Sequence, residues 1–278
     1  MIFIAIKTSQ IMENIEIKKR DEKIIELSKK LSQKEIGKMF GLTPEGIGRV
    51  LRKYGIKRKK SRLNMSKLSI DIDYFKTIDT PKKAYWLGFI TADGSINKNN
   101  NKLTIICKDL EILEKFKTDI KSEHKISNFN YHDKRTDKTY YEYSIQITNE
   151  LFVNNIIEKG ITNKKSDKCE FPKIEEELYS YFIAGLFDGD GSVSLYGINK
   201  NRLRCNLIST KEILNFINEF LKEKYQITSV KMFSITKNKN NVFKQHWYKD
   251  SSKFLNFIYQ GNKEIYLTRK YKIYEQYK

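Results

Sequence analysis

Two aspartates, Asp93 and Asp190, occupy matching places in two copies of one apolar segment. Tyr85-Trp86-Leu87-Gly88-Phe89-Ile90-Thr91-Ala92-Asp93-Gly94-Ser95-Ile96 recurs 97 residues later as Phe182-Ile183-Ala184-Gly185-Leu186-Phe187-Asp188-Gly189-Asp190-Gly191-Ser192-Val193. Small residues stand four apart in each copy, Gly88 with Ala92 and Gly185 with Gly189. Positions i and i+4 share a helix face, so the spacing predicts two helices able to meet with their backbones nearly touching. Each helix would end at its aspartate, where the helix dipole disfavours an anion. Packing the two helices together adds carboxylate repulsion. Divalent cations between the acids would reverse both penalties. A lone Asp-Gly step is ordinarily just a turn; its duplication on matched apolar helices makes Asp93 and Asp190 candidate catalytic acids and metal ligands.

The other metal-binding side chains do not compete. Three cysteines (Cys107, Cys169, Cys205) and three histidines (His124, His132, His246) are scattered, with no CxxC pair and no zinc-ligand spacing. A site built from carboxylates favours a hard ion such as Mg²⁺.

The elements that must position these acids are also duplicated. After each motif come a short turn and an alternating strand, Leu103-Thr104-Ile105-Ile106-Cys107 and then Leu203-Arg204-Cys205-Asn206-Leu207. A helix follows, over 111–116 and 212–217. Two more strands are expected at 125–131 and 140–148, then at 227–236 and 242–248, and each half closes with helix. The fold class is α+β, an αββαββα unit used twice. Strand alternation turns Ile96, Val193, Leu195, Leu203, Cys205 and Leu207 inward. It leaves Ser95, Asn97, Ser192, Ser194, Tyr196, Arg202, Arg204 and Asn206 outward.

The chain of 278 residues has a formal net charge of +19, unevenly spread. Residues 1–68 hold 18 Lys+Arg against 7 Asp+Glu; the other 210 hold 35 against 27. Such a balance points to a polyanion. A membrane is excluded as partner, because no apolar run approaches the roughly 20 residues of a span and no basic amphipathic helix or lipidation site is present. Three short helices are expected near the N-terminus. Ile24, Ile25, Leu27 and Leu31 line the first. Ser32-Gln33-Lys34-Glu35 is a capping box opening the second, with Ile36, Met39 and Phe40 inward. Gly41 ends it, and Thr43 caps a third that starts at Pro44 and buries Ile47, Val50 and Leu51. This is a helix-turn-helix layout, with Arg49, Arg52 and Lys53 outward and the basic run containing Arg58 and Lys59 directly after. The expected domains are an extension at 1–20, the helix-turn-helix module at 21–57, a basic linker at 58–80, and repeats at 81–172 and 173–278.

Trp86–Gly94 and Ile183–Gly191 resemble the LAGLIDADG motif of homing endonucleases, and the resemblance covers residues 81–278. The second copy is nearly consensus; the first departs at Trp86, Leu87 and Thr91 but keeps the final acid. The resemblance implies a single chain with a pseudo-two-fold axis between the motif helices and a saddle of two sheets over double-stranded DNA, whose base edges and phosphates the outward Arg, Asn and Ser side chains would suit. It implies a monomeric, site-specific double-strand endonuclease that uses Mg²⁺ on Asp93 and Asp190, helped by the carbonyls of Ala92 and Gly189. The cut across the minor groove would leave cohesive ends. A basic residue late in each repeat is also implied, at Lys165 and Lys270, with Lys164 and Arg269 as alternative occupants. A mobile intron or a free-standing mobile gene is the expected setting, in the cytoplasm, an organelle or a phage-infected host. Two rivals stay open: a DNA-binding regulator that keeps the fold without cutting, and a maturase that binds intron RNA.

Overall fold

The computed structural model describes residues 2–28, 31, 33–56, 68–133, 136–162, 169–199, 201–235, 241–261 and 264–277, with residues 2–14 as backbone only. The chain divides into two units, Met1–Leu63 and Asn64–Lys278.

In the first unit, α1 spans Ile2–Leu27, α2 Gln33–Phe40 and α3 Pro44–Lys53. The stretch read as an extension plus a short helix is therefore one long helix. Gly41, at φ +63°, closes α2. Thr43 caps α3 through its hydroxyl, which accepts from the Gly46 amide at 3.1 Å, and Pro44 takes the first turn. Ile24, Ile36, Ile47 and Leu51 form the small core. Met39, expected inward, is 62% exposed. The buried stripe of α2 runs through Ile36 and Gly37, because Gly37 packs on the Leu42 carbonyl, and that rotation turns Met39 out. Ser32 of the expected capping box lies outside the described residues.

The second unit is mixed α+β and contains the expected repeat. Its first half runs α4 (Pro81–Asp93), β1 (Gly94–Asn97), β2 (Lys102–Cys107), α5 (Leu110–Asp119), β3 (Ile126–Asp133), β4 (Lys138–Thr148) and α6 (Glu150–Glu158). Its second half runs α7 (Tyr179–Asp190), β5 (Gly191–Tyr196), β6 (Arg202–Ser209), α8 (Lys211–Tyr225), β7 (Phe233–Ser234), β8 (Phe243–His246), α9 (Ser251–Tyr259) and α10 (Thr268–Tyr277). Each half forms a four-stranded antiparallel sheet with the same order, β1-β2-β4-β3 and β5-β6-β8-β7. Among the described residues, the strand expected over 227–236 pairs as a ladder only at Phe233 and Ser234. Val230 instead gives its amide to the His246 carbonyl as an isolated bond, leaving an irregular edge.

Thr80 caps α4 and Pro81 opens it, the pre-organised start for a helix. From Ala84 to Thr91 every residue of α4 is buried, as is Phe182–Asp188 of α7. Helices apolar on all sides belong in the interior, and these two form the most extensive helix pair among the described residues. Aromatic rings fill the flanks: Trp86 packs on Phe116, Phe171 stacks on Phe216, and Trp247 stacks on Phe254 with centroids 4.0 Å apart. Among the described residues, no helix is long and apolar enough to cross a membrane.

Candidate active site and nucleic-acid interface

The crossing of α4 and α7 is reciprocal. A Cβ on Gly88 would overlap the Phe182 carbonyl oxygen and lie 2.9 Å from the Leu186 amide. A Cβ on Gly185 would overlap the Tyr85 carbonyl oxygen and lie 2.9 Å from the Phe89 amide. Each pair of positions is the other shifted by 97 residues, so the repeat is a structural pseudo-symmetry as well as a sequence one. Only glycine permits this approach, because no real Cβ sits so near backbone.

The seam ends at the acids. Asp93 and Asp190 are the last residues of α4 and α7, and the amides of Gly94 and Gly191 turn back to the Ile90 and Phe187 carbonyls. A Cβ on Gly189 would overlap that of Ala92 and lie 3.4 Å from the Asp93 carboxyl carbon. The Asp93 side chain therefore reaches across the seam to the residue preceding Asp190. A cavity of about 70 Å³ abuts Asp190, walled by Thr91, Ala92, Cys169, Thr210 and Ile213.

These donors fit a hard cation. The missing Cβ of Gly189 leaves the Asp93 carboxyl room against α7, and the donors at the seam are carboxylate and carbonyl oxygens, the chemistry Mg²⁺ prefers. No group of three or more His, Cys, Asp or Glu able to hold a metal occurs among the described residues. The oxygens that the resemblance implies would hold the ion are those of Asp93, Asp190 and the Ala92 and Gly189 carbonyls.

Lys270 lies at the end of α7, with its side chain 2% exposed. Its Nζ donates to the carbonyls of Phe187 (2.7 Å), Asp188 (2.8 Å) and Gly191 (2.5 Å). Burial pulls its pKa down to about 8, against the opposing pull of Asp188. The resemblance implied a basic group near phosphate; here the ammonium is turned onto backbone. Arg269, its alternative, pairs with Asp109 at 3.0 Å. Lys165 and Lys164 lie outside the described residues, as do Arg58 and Lys59.

Sequence reasoning missed Asp188. Its buried carboxylate accepts from the Tyr259 hydroxyl (2.6 Å), the Tyr85 hydroxyl (2.7 Å) and the Leu267 amide (2.8 Å). Burial pushes its pKa up, opposed by Lys270 and the two hydroxyls. The usable signal was a mismatch between the repeats: Tyr85 and Asp188 align with Phe182 and Thr91.

The outward residues fall as alternation predicts. Ser95, Asn97, Ser192, Arg202 and Arg204 are exposed; Ser194, Tyr196 and Asn206 are half-buried. Ladder register pairs Ser192 with Asn206, Ser194 with Arg204, and Tyr196 with Arg202 on one face. Arg204 gives its Nε–H to the Ser194 hydroxyl at 3.0 Å and lies over the Tyr196 ring. Asn97 is partly committed, since its Oδ1 caps the turn at the Asn99 and Asn100 amides. The register adds residues the sequence reading did not name: Lys102, Thr104 and Gln146 on the first sheet, Lys244 and His246 on the second.

In the first unit Arg49, Arg52 and Lys53 are all exposed. Lys53 reaches Asp21 at 3.5 Å, as Arg20 does at 3.0 Å. Burial alone would raise the Asp21 carboxyl; the two cations override it and hold the group below its ordinary value.

Residues 80–159 match the model of the LAGLIDADG-like domain. The replication factor C small subunit of Methanocaldococcus jannaschii is 26% identical over 184 residues, which are 63% of this chain and 9% of that protein. The chain thus spans about a tenth of that curated relative's length. Among solved structures, the homing endonuclease I-WcaI bound to its DNA recognition sequence is 17% identical, with 73% of this chain and 90% of that one covered and a TM-score of 0.49. Full-length DUF199/WhiA from Thermatoga maritima is 15% identical, with 75% and 66% covered and a TM-score of 0.44.

Proposed function

We propose that this chain, whose residues 80–159 match the LAGLIDADG-like domain model, is a site-specific endonuclease that cuts both strands of duplex DNA by metal-dependent hydrolysis. The observation that carries the reading is the pairing of Asp93 and Asp190 at the ends of two helices in backbone contact. Stability alone gives no reason to bring two carboxylates to helix C-termini in one place. Mg²⁺ held there by Asp93 and Asp190, with the Ala92 and Gly189 carbonyls, would supply an activated water and charge stabilisation on phosphate.

The chain's own groups do the rest. The two glycine contacts fix the separation of the acids. The outward faces of the sheets, with Arg202, Arg204, Lys102 and Lys244, attract phosphates and set the register of a duplex. Asn97, Asn206 and Gln146 on the same faces can hydrogen-bond base edges in a major groove. The basic helices of residues 1–63 act as a second DNA contact of helix-turn-helix type, with Arg49, Arg52 and Lys53 on α3. The acting species is the monomer, since one chain contains both acids.

Selecting bound duplexes from a randomised library, then incubating them with Mg²⁺, tests the reading. Paired cuts at one position in the selected sequence are expected. Tight, specific binding with no cut on either strand would make the chain a non-cleaving regulator. Preference for structured RNA over every duplex would make it a maturase.

A further inference from the structure

We propose that Lys270 and Asp188 are positioning residues for Asp190: Lys270 clamps the backbone on both sides of the acid, and Asp188 ties that clamp to the opposite motif helix. The proposal rests on the nuclease reading of the seam.

An ammonium has three N–H donors. Lys270 spends all three on the carbonyls of Phe187, Asp188 and Gly191. Two of these precede Asp190 and one follows it, so a single cation fixes the exit of α7 into β5. The Gly189 carbonyl, expected at the metal, is not among its acceptors. A cation at a helix C-terminus also complements the dipole that the acid there opposes. With its donors committed and its side chain sealed from solvent, Lys270 acts through the placement of Asp190.

Asp188 meets the ammonium through its backbone carbonyl, while its carboxylate supplies the counter-charge. The carboxylate's three hydrogen bonds go to Tyr85 on α4, Tyr259 on α9 and the Leu267 amide just ahead of α10. Lys270 stands three residues beyond that amide, in the first turn of α10. The chain end carrying the lysine is thereby pinned to the motif helix of the other repeat.

Among the described residues, the carboxylate–hydroxyl part of this clamp exists in one half. At the positions offset by 97, Tyr85 becomes Phe182 and Asp188 becomes Thr91. Thr91 turns its hydroxyl back to the Leu87 carbonyl at 2.8 Å and ties nothing across the seam. The Asp93 carboxyl packs on Gly189. The ammonium bonds the carbonyls around Asp190, so disturbing the clamp should slow one strand's cleavage more than the other's.

Three full-length proteins test this beside the wild type: Lys270→Met, the double variant Lys270→Met/Asp188→Asn, and Tyr85→Phe. Strand-resolved single-turnover cleavage, duplex affinity in Ca²⁺ and thermal unfolding are read on the same samples. The double variant removes both buried charges together, so it should fold and bind near wild-type levels. It should cut about tenfold to a hundredfold more slowly, the loss expected for a misplacement of roughly 1 Å. One strand should lag, so that nicked duplex accumulates. Tyr85→Phe, which installs the residue found at the matching position, should give a smaller bias on the same strand. If the double variant does not fold, Tyr85→Phe decides alone. Wild-type rates per folded molecule, or equal loss on both strands, would show that the clamp only balances charge and would overturn the proposal. A wild-type chain that cuts neither strand overturns the nuclease reading, and this inference falls with it.

Discussion

The carboxyl group of Asp93 lies against Gly189, the residue immediately before its counterpart Asp190. In the proposed site each acid is one half, and both helices are needed to bring the halves together. Asp93→Asn and Asp190→Asn should each lower double-strand cleavage by orders of magnitude, because a neutral amide lacks the negative charge with which a carboxylate holds a hard cation. Target affinity measured in Ca²⁺-free buffer should stay near wild type, since neither residue faces out from the sheets. Near wild-type cutting of both strands by either variant would remove the acids from the catalytic role.

Gly185→Leu and Gly88→Leu test the seam itself. Their missing Cβ atoms are what allows each helix to rest on the other's carbonyl oxygen. A leucine forces the helices apart, with an overpacking cost of about 1–3 kcal/mol or more. The same separation moves the two acids, so cleavage should fall further than the folded fraction does. Thermal unfolding and cleavage measured on one sample decide it: wild-type cleavage per folded molecule would mean that the glycines serve stability alone.

The repeat, the motif helices and the inward and outward strand positions were legible because each depends on local spacing. Small residues four apart predicted the helix contact, and alternation placed Leu203, Cys205 and Leu207 inward, where all three are buried. What depends on distant partners was not legible. Nothing local says that Lys270 spends its donors on carbonyls some 80 residues earlier, or that Asp188 gathers hydroxyls from two other helices. Met39 was misplaced for a related reason, since the rotation of α2 follows from Gly37 meeting the Leu42 carbonyl. The strand over 227–236 was overextended because apolar alternation cannot report where a ladder ends.

Acid should weaken the second repeat through Asp250. Its carboxylate accepts from the Thr228 hydroxyl at 2.6 Å and the Thr228 amide at 2.8 Å. These bonds hold its pKa below the ordinary 3.8, with burial opposing and Lys253 assisting. A carboxyl with a lowered folded pKa contributes stability that is fully present above its unfolded value and is lost as pH falls through the folded one. Wild type should therefore lose more thermal stability between about pH 5 and pH 2 than Asp250→Asn, which starts lower and lacks that titration. Parallel losses in the two proteins would remove Asp250 from the account.

Deleting residues 1–60 separates the two units functionally. The segment holds 16 Lys+Arg, and the unit of residues 64–278 contains both sheets, both motif helices and both acids. If the basic helices bind DNA, every phosphate they neutralise adds about 0.9 to the log–log salt slope of binding, and the shortened chain should show that much less. Affinity should fall most at low salt, where counterion release contributes most. Mg²⁺-dependent cutting should persist at high protein concentration, because no residue of the seam has been removed. Titrating binding against salt for the full and shortened chains gives the number of phosphates that the first unit neutralises. An unchanged slope would mean that Arg49, Arg52 and Lys53 do not touch DNA. Complete loss of cutting by a folded, DNA-bound truncation would mean instead that the first unit completes the active centre.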